Sequence, residues 1–510
     1  MSLSPQTTDV RVFPAAASES SWRPISLPRF IAATGLIALL AIASANAALR
    51  GPWLDEFWTL HLSDNHDGLA ALIRNGWLRD THPPVFNAWA TLLASLGVTS
   101  IPAGRLVTNL LAAGLMILAA WRLSRRMPEL AGFNAVLLLL TLSLPQTIEA
   151  FATYRSYFWQ IAALGTLVMV ARHVASARAD LDLRKDVDLA AIAAIATAAS
   201  IGLHYVGGLF GGLLSGTIAL SACRHGLRRW AALLLAAAAL AALFVIASVL
   251  LQMPAWAVDF DHSWIDLPGI EALGVPVVLA ATAICTNPVP LAGLWLGRDG
   301  RRDSERRFIA IAGGVLVLGI AIVLTAHAFR PIVVERYLLA VPVLVSALMA
   351  VPAARFAQAY PLFGLLALVS VAVAAASMAD AIKPLWREDA QRIAKIVAEC
   401  PTTRVYAASG WALGPAAETR TARREDPVFA RAYRLLANRH GYEVQYIGQG
   451  GTAHATPGAC PVLLWYEHTP NDAERDLPGA VEEAGLTGLQ GARLSGFRSG
   501  TGFVVRADRP

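Results

Sequence analysis

The sequence predicts a polytopic α-helical membrane protein with about eleven crossings, followed by a small C-terminal α/β domain. Three observations lead there. The 510 residues are 56% hydrophobic and only 15% charged, whereas a soluble globular chain carries roughly 25% charged residues. Apolar runs of about 18–22 residues recur, each long enough to cross the roughly 30 Å hydrocarbon layer. They fill the first 380 residues. Beyond them the composition becomes ordinary over about 125 residues, a normal domain size.

Taken in chain order, residues 1–27 are polar and read as a disordered cytoplasmic tail. The first apolar run lacks an early basic region and is followed by many others, so it reads as a retained helix and not a cleaved signal. The expected membrane region covers 28–382, with spans near 28–49, 103–121, 132–150, 157–173, 189–206, 208–223, 230–252, 273–296, 308–327, 338–354 and 361–379. Basic loops, such as Arg122, Arg125 and Arg126 or Arg224, Arg228 and Arg229, alternate with cation-poor loops at 50–102, 151–156, 253–272 and 328–337. The positive-inside rule assigns the basic set to the cytoplasm. The N-terminus is then inside, and an odd number of crossings leaves 383–510 outside as an extracytoplasmic domain. Residues 84–98 are apolar but too short to cross. They read as an interfacial or re-entrant helix, with Pro83 and Pro84 in its first turn, where no backbone donor is needed.

In the C-terminal domain, 386–399 and 426–440 read as helices, and 405–409, 442–448 and 460–468 as strands. A further helix is expected at 472–485 and a terminal hairpin at 496–507. No Gly-rich nucleotide fingerprint or metal-finger spacing is present. The net charge of +6 resides in short loops between spans, which argues against a nucleic-acid partner. Cys223 and Cys285 fall in or near apolar runs and read as buried small residues. Cys400 and Cys460 share the outer domain, where a disulfide between them is expected to persist.

The first outer loop is dense in polar residues: Asp55, Glu56, Asp64, His66, Asp67, Arg79, Asp80 and His82. Aromatics around Asp55 and Glu56 would hold that segment at headgroup level. A carboxylate pinned beside apolar walls can serve as a general base; it could equally cap a juxtamembrane helix. Other outer segments supply Arg155 and Tyr157, His204 and Tyr205, and Arg330, Glu335, Arg336 and Tyr337. Arginines converging at the boundary would suit a lipid phosphate, through a planar fork of donors. They could also be interfacial anchors. The loop 256–268, with Asp259, Asp261, His262 and Asp266, could bind a divalent cation, or be a solvated loop. No cofactor is required outright.

The WLDE of the first outer loop, the THPPVF opening an apolar helix, a span ending in a basic turn, and the late RYLLAVPVL together resemble the GT-C superfamily of membrane glycosyltransferases. The resemblance covers roughly residues 28–355. It is similar in particular to the glycosyltransferase family 39-like branch, which includes protein O-mannosyltransferases, the lipid A aminoarabinose transferase and lipopolysaccharide galacturonosyltransferases. It implies an enzyme of the bacterial inner membrane, with active site and C-terminal domain on the periplasmic side. The implied reaction moves a sugar from a polyprenyl-phosphate donor to an envelope glycan, lipid or protein acceptor, among membrane lipids and with inversion. On that resemblance Asp55 is the base and Glu56 and His82 share its cavity, so the three are the expected catalytic residues; Arg155, Arg330 and Arg336, by their own chemistry, are the expected donor phosphate-binding residues. Tyr157, His204, Tyr205 and Tyr337 would line the substrate cavity. The aminoarabinose transferase carries Lys-Pro-Pro where this chain has His82, Pro83 and Pro84, so that branch's sugar is not carried over.

Two other classes fit a polytopic chain. A transporter or lipid-linked-sugar flippase would show charge at mid-membrane and an inverted repeat. A non-catalytic scaffold would need no groove joining Asp55 to lipid.

Overall fold

The computed structural model describes residues 27–64, 68–176, 186–259, 269–296, 303–354, 356, 360–382, 386–409, 420–447, 459–467, 479, 481–482, 493–496 and 502–507. The tail at 1–26, the polar residues His66, Asp261, His262 and Asp266, and most of the helix expected at 472–485 lie outside the described residues.

Helix α1 (Leu27–Leu49) leads into a compact segment made of α2 (Leu54–Leu62), α3 (Leu69–Asn75) and α4 (Val85–Ser95). Helix α4 would span only about 16 Å at 1.5 Å per residue, well short of a crossing. The bundle continues with α5 (Ile101–Arg126), α6 (Ala131–Ser143), α7 (Pro145–Phe151), α8 (Tyr157–Ser176), α9 (Val187–Gly202) and α10 (Tyr205–Arg224). Then come α11 (Arg228–Asp259), α12 (Gly269–Ala272), α13 (Gly274–Cys285), α14 (Val289–Leu296), α15 (Asp303–Phe329), α16 (Ala340–Ala353) and α17 (Tyr360–Ala381).

Each expected span meets at least one helix, yet among the described residues only seven helices are long and apolar enough to cross alone. The expected span at 132–150 is two helices bent by 73°. Pro145 begins the second of them and has no N–H to carry the first helix's hydrogen bonding onward. The span expected at 273–296 is likewise divided between α13 and α14. Helices α9 and α16 are short, about 24 and 21 Å. Helix α8 is buried along almost its whole length and packs against α5, α9, α10, α15 and α16, so the bundle is built around it.

Local chemistry sets these boundaries. Ser100 caps α5 by accepting from the Ala103 N–H at 3.4 Å, and Arg125 and Arg126 occupy its last turn, where cations complement the helix dipole. Gly104 is required on α5, because a Cβ there would meet the Tyr154 ring at 2.7 Å.

The C-terminal domain contains α18 (Trp386–Glu399), β1 (Arg404–Ser409), α19 (Arg420–Arg439), β2 (Gln445–Tyr446), β3 (Val462–Glu467), β4 (Arg493–Gly496) and β5 (Gly502–Ala507). The sheet order is β2-β1-β3-β5-β4. Strands β2, β1 and β3 run parallel, and β5 and β4 form the antiparallel terminal hairpin. Cys400 and Cys460 are joined in a disulfide, with Cα atoms 5.6 Å apart. Cys223 and Cys285 are exposed on the bundle rather than buried, because their helix faces point away from its core.

Asp389 of α18 is 1% exposed, and among the described residues neither of its carboxylate oxygens has a hydrogen-bond partner. Burial first, then the charge of Glu388, pushes its pKa up to about 7 from 3.8, against the pull of Arg392. The folded domain therefore binds a proton that the unfolded chain releases. That contribution is complete below pH 3.8 and is lost as pH rises through about 7. Asp389→Asn cannot ionise, so near pH 8 it should stabilise the domain by roughly 2–4 kcal/mol, with little effect near pH 4. Urea unfolding of the domain, followed by limited proteolysis of the full chain at both pH values, checks this; equal stability of the two chains near pH 8 would refute it.

Candidate functional site

Two neighbouring carboxylates open α2 and meet different surroundings. Glu56 is fully buried. Its Oε1 accepts from Arg105 Nε at 2.6 Å and from the Tyr154 N–H at 2.8 Å. Its Oε2 accepts from Arg105 Nη2 and from the Trp53 N–H, the latter at 3.3 Å. Arg105 also donates to the carbonyls of Ala47, Arg50 and Gly51 at 2.8–3.0 Å. Both oxygens of Glu56, a residue expected in a catalytic role, are engaged in holding the start of α2 against α5.

Asp55 is free of that network and partly exposed, at 19%. Its Oδ2 lies 3.7 Å from Arg336 Nη2 and accepts from the Tyr157 hydroxyl at 3.4 Å. Arg336 lies over the Trp53 ring at 5.1 Å and the Tyr337 ring at 5.6 Å, cation–π contacts that fix its planar head. Burial would lower the Arg336 pKa, but the charge of Asp55 and the neighbouring Tyr157 and Tyr337 hold it raised, so it stays a cation.

His82 is buried at the end of the same loop. Its Nδ1 lies 3.4 Å from Arg155 Nη2, 3.3 Å from Thr81 Oγ1 and 3.7 Å from Asp80 Oδ1. Its ring packs at 5.4 Å from His204, 6.1 Å from Tyr337 and 6.4 Å from Tyr157. Arg155 also donates to Thr59 Oγ1 of α2 at 3.4 Å. Asp80 accepts from Trp58 Nε1 at 3.2 Å, the Thr81 N–H at 2.8 Å and Asn87 Nδ2 at 3.0 Å. Burial alone would raise the Asp80 pKa, but His82, Arg155 and Asn87 hold it well below the usual carboxylate range. For His204, burial and then the neighbouring His82, Arg155 and Arg336 push the pKa far down, leaving the ring neutral.

Beside these groups lies a cavity of about 470 Å³. Thr81, His82, His204, Tyr205, Arg330 and Tyr337 line it together with Val206 and Leu209 of α10, Val245 and Val249 of α11, and Ile322, Val323 and Ala326 of α15. Polar groups from the helix ends thus meet apolar walls inside the bundle. Arg155 and Arg336 stand beside this lining and touch it through His82 and Tyr337, whereas Asp55 and its partner Tyr157, expected on the cavity wall, lie behind it, the Tyr157 ring 6.4 Å from that of His82.

The structure therefore brings Asp55, His82, Arg155, Tyr157, His204, Arg336 and Tyr337 together, and sets Tyr205 and Arg330 on the cavity wall. Four contributors were not singled out in the sequence. Arg105 sits near the start of an apolar helix, and Thr59 is one residue of α2. Asp80 was only one polar loop residue among several. Gln252 accepts from the Tyr205 hydroxyl at 2.5 Å and donates to the carbonyls of Trp77 and His82 at 2.9 Å. Its signal was there to find: a lone amide in the apolar run VLLQMPAW. Among the described residues no group of three or more His, Cys, Asp or Glu gathers as a metal site.

No protein-family profile and no curated sequence matches the chain. Solved structures do. ArnT from Cupriavidus metallidurans in the apo state aligns with a TM-score of 0.50 at 13% identity, covering 93% of this chain and 98% of that one. ArnT from the same organism bound to undecaprenyl phosphate aligns with a TM-score of 0.50 at 12% identity, covering 94% and 97%. The likeness covers more than nine tenths of each chain. This chain therefore shares its fold with ArnT.

Proposed function

We propose that this chain is a glycosyltransferase that moves a sugar from a polyprenyl-phosphate donor to a hydroxyl of an envelope glycan, lipid or protein, on the outer face of the cytoplasmic membrane. The observation that carries the reading is the junction of Asp55, Arg336 and Tyr157 beside a cavity with a polar end and apolar walls. The solved ArnT complex with undecaprenyl phosphate supports it, since the two chains share a fold.

In this reading the prenyl chain lies along α10, α11 and α15, and its phosphate meets Arg155, Arg330 and Arg336. The acceptor oxygen attacks the anomeric carbon while Asp55 takes its proton. The bond from that carbon to the phosphate oxygen breaks, and the lipid phosphate leaves with the electron pair. Arg336 first holds Asp55 ionised and then meets the charge growing on the phosphate, the electrostatic contribution that usually dominates. Attack opposite the leaving group inverts the anomeric centre. Arg155 and His82 act together at the phosphate end, with Asp80 fixing the ring. The N-terminus lies inside and the C-terminal domain outside.

Purified protein in lipid, given polyprenyl-phosphate sugars and an envelope extract, should release polyprenyl phosphate and yield a glycosylated product of opposite anomeric configuration. Mass spectrometry of envelope lipids and glycans from cells with and without the gene should identify the sugar. Identical envelopes, together with no release from any donor, would overturn the reading.

A further inference from the structure

The C-terminal domain packs directly onto the helix that carries Asp55. Successive residues of α2 turn by about 100°, so Phe57 and Leu60 lie roughly 140–200° around the helix from Asp55. Those two residues belong to one hydrophobic cluster with Trp386, Phe429 and Tyr433 of the outer domain. Phe57 is 1% exposed, and its ring is 5.3 Å from that of Trp386. Trp386 in turn stacks on Phe429 at 5.9 Å and Tyr433 at 5.2 Å. At the other end of α2, Arg431 of α19 pairs with Asp64 and reaches the Leu60 carbonyl at 3.5 Å.

From this packing we infer that the C-terminal domain is a structural part of the active site: its Trp386 clamps the back of α2 and so fixes Asp55 against Arg336 and Tyr157. The inference rests on the transferase reading for the meaning of Asp55, but not for the docking itself. An apolar wedge 2% exposed, braced by an ion pair at the far end of the same short helix, leaves α2 little freedom to tilt. A helix of nine residues has too few hydrogen bonds of its own to stay in place unaided. Trp386 is therefore a positioning residue, and the domain's contribution falls on turnover rather than on donor binding.

The test uses the full-length protein in lipid. Trp386→Ala should lower kcat about 10–100-fold, of the order that a misplaced reacting group costs, while donor KM stays within about twofold. Trp386→Phe should restore most of the turnover. Hydrogen exchange should quicken across 54–62 and stay unchanged across 157–176. If Trp386→Ala does not yield folded protein, the Asp64→Arg and Arg431→Asp pair decides: each alone should lower kcat, and the double variant should recover it. Unaltered exchange at 54–62, a loss confined to KM, or no recovery in the double variant would overturn the inference. The exchange measurement needs no sugar transfer, so a failure of the transferase reading is told apart from a failure of the docking.

Discussion

Asp55→Asn should lower turnover by about 10²–10⁴ while leaving the protein folded and its donor KM nearly unchanged. The amide keeps the shape of the carboxylate and can still accept from Tyr157, so packing at the start of α2 survives. What disappears is the group that, in the proposed mechanism, receives the proton from the acceptor hydroxyl. The ion pair with Arg336, at 3.7 Å and with both side chains partly exposed, contributes little to stability, so the variant should not unfold. Initial-rate measurements on reconstituted protein, matched by size-exclusion profiles, check this. Turnover near that of the parent chain would remove Asp55 from the mechanism and leave His82 as the remaining proton acceptor.

Glu56→Gln should produce the opposite pattern, loss of the folded protein. The Glu56 and Arg105 side chains are both completely buried, and removing the charge of one member strands the other in a place where water cannot compensate it. Breaking such a pair costs about 3–5 kcal/mol, a large share of the roughly 5–15 kcal/mol that holds a typical native protein together. Arg105 would keep its three backbone acceptors, which softens the loss without balancing the charge. Thermal unfolding in detergent should show a midpoint lowered by several degrees and a collapse in monodisperse yield. An unchanged midpoint would mean that the backbone carbonyls alone suffice to hold Arg105. The two neighbours would thus separate cleanly, one variant folded and slow, the other unable to hold its fold.

Much of this was legible in the sequence, and for definite reasons. Asp55 in WLDE, His82 in THPP, Arg155 in TYRSYF and Arg336 in ERYL are polar residues beside spans, where polar groups are expensive unless they work. The C-terminal helices and strands followed from their periodicity. The division of labour between Asp55 and Glu56 was not legible, because adjacent carboxylates look alike until a helix turns one of them toward Arg105. The count of full crossings was not legible either. Hydropathy sees an apolar run at 132–150, while the 73° bend depends on where Pro145 falls in the hydrogen-bond ladder. Contact between Phe57 and Trp386 joins residues far apart in the chain, and no local pattern announces it.

Helix α2 has no idle side. One flank presents Asp55 and Thr59 to the arginines, the next sends Glu56 to Arg105, and the third gives Phe57 and Leu60 to the C-terminal domain. Substitution at one position would disturb one of these partnerships. An added or missing residue in the middle would rotate everything beyond it by about 100° and hand each duty to the wrong neighbour. The phase of this short segment is thus constrained more tightly than its composition, and insertions belong in the loops on either side of it.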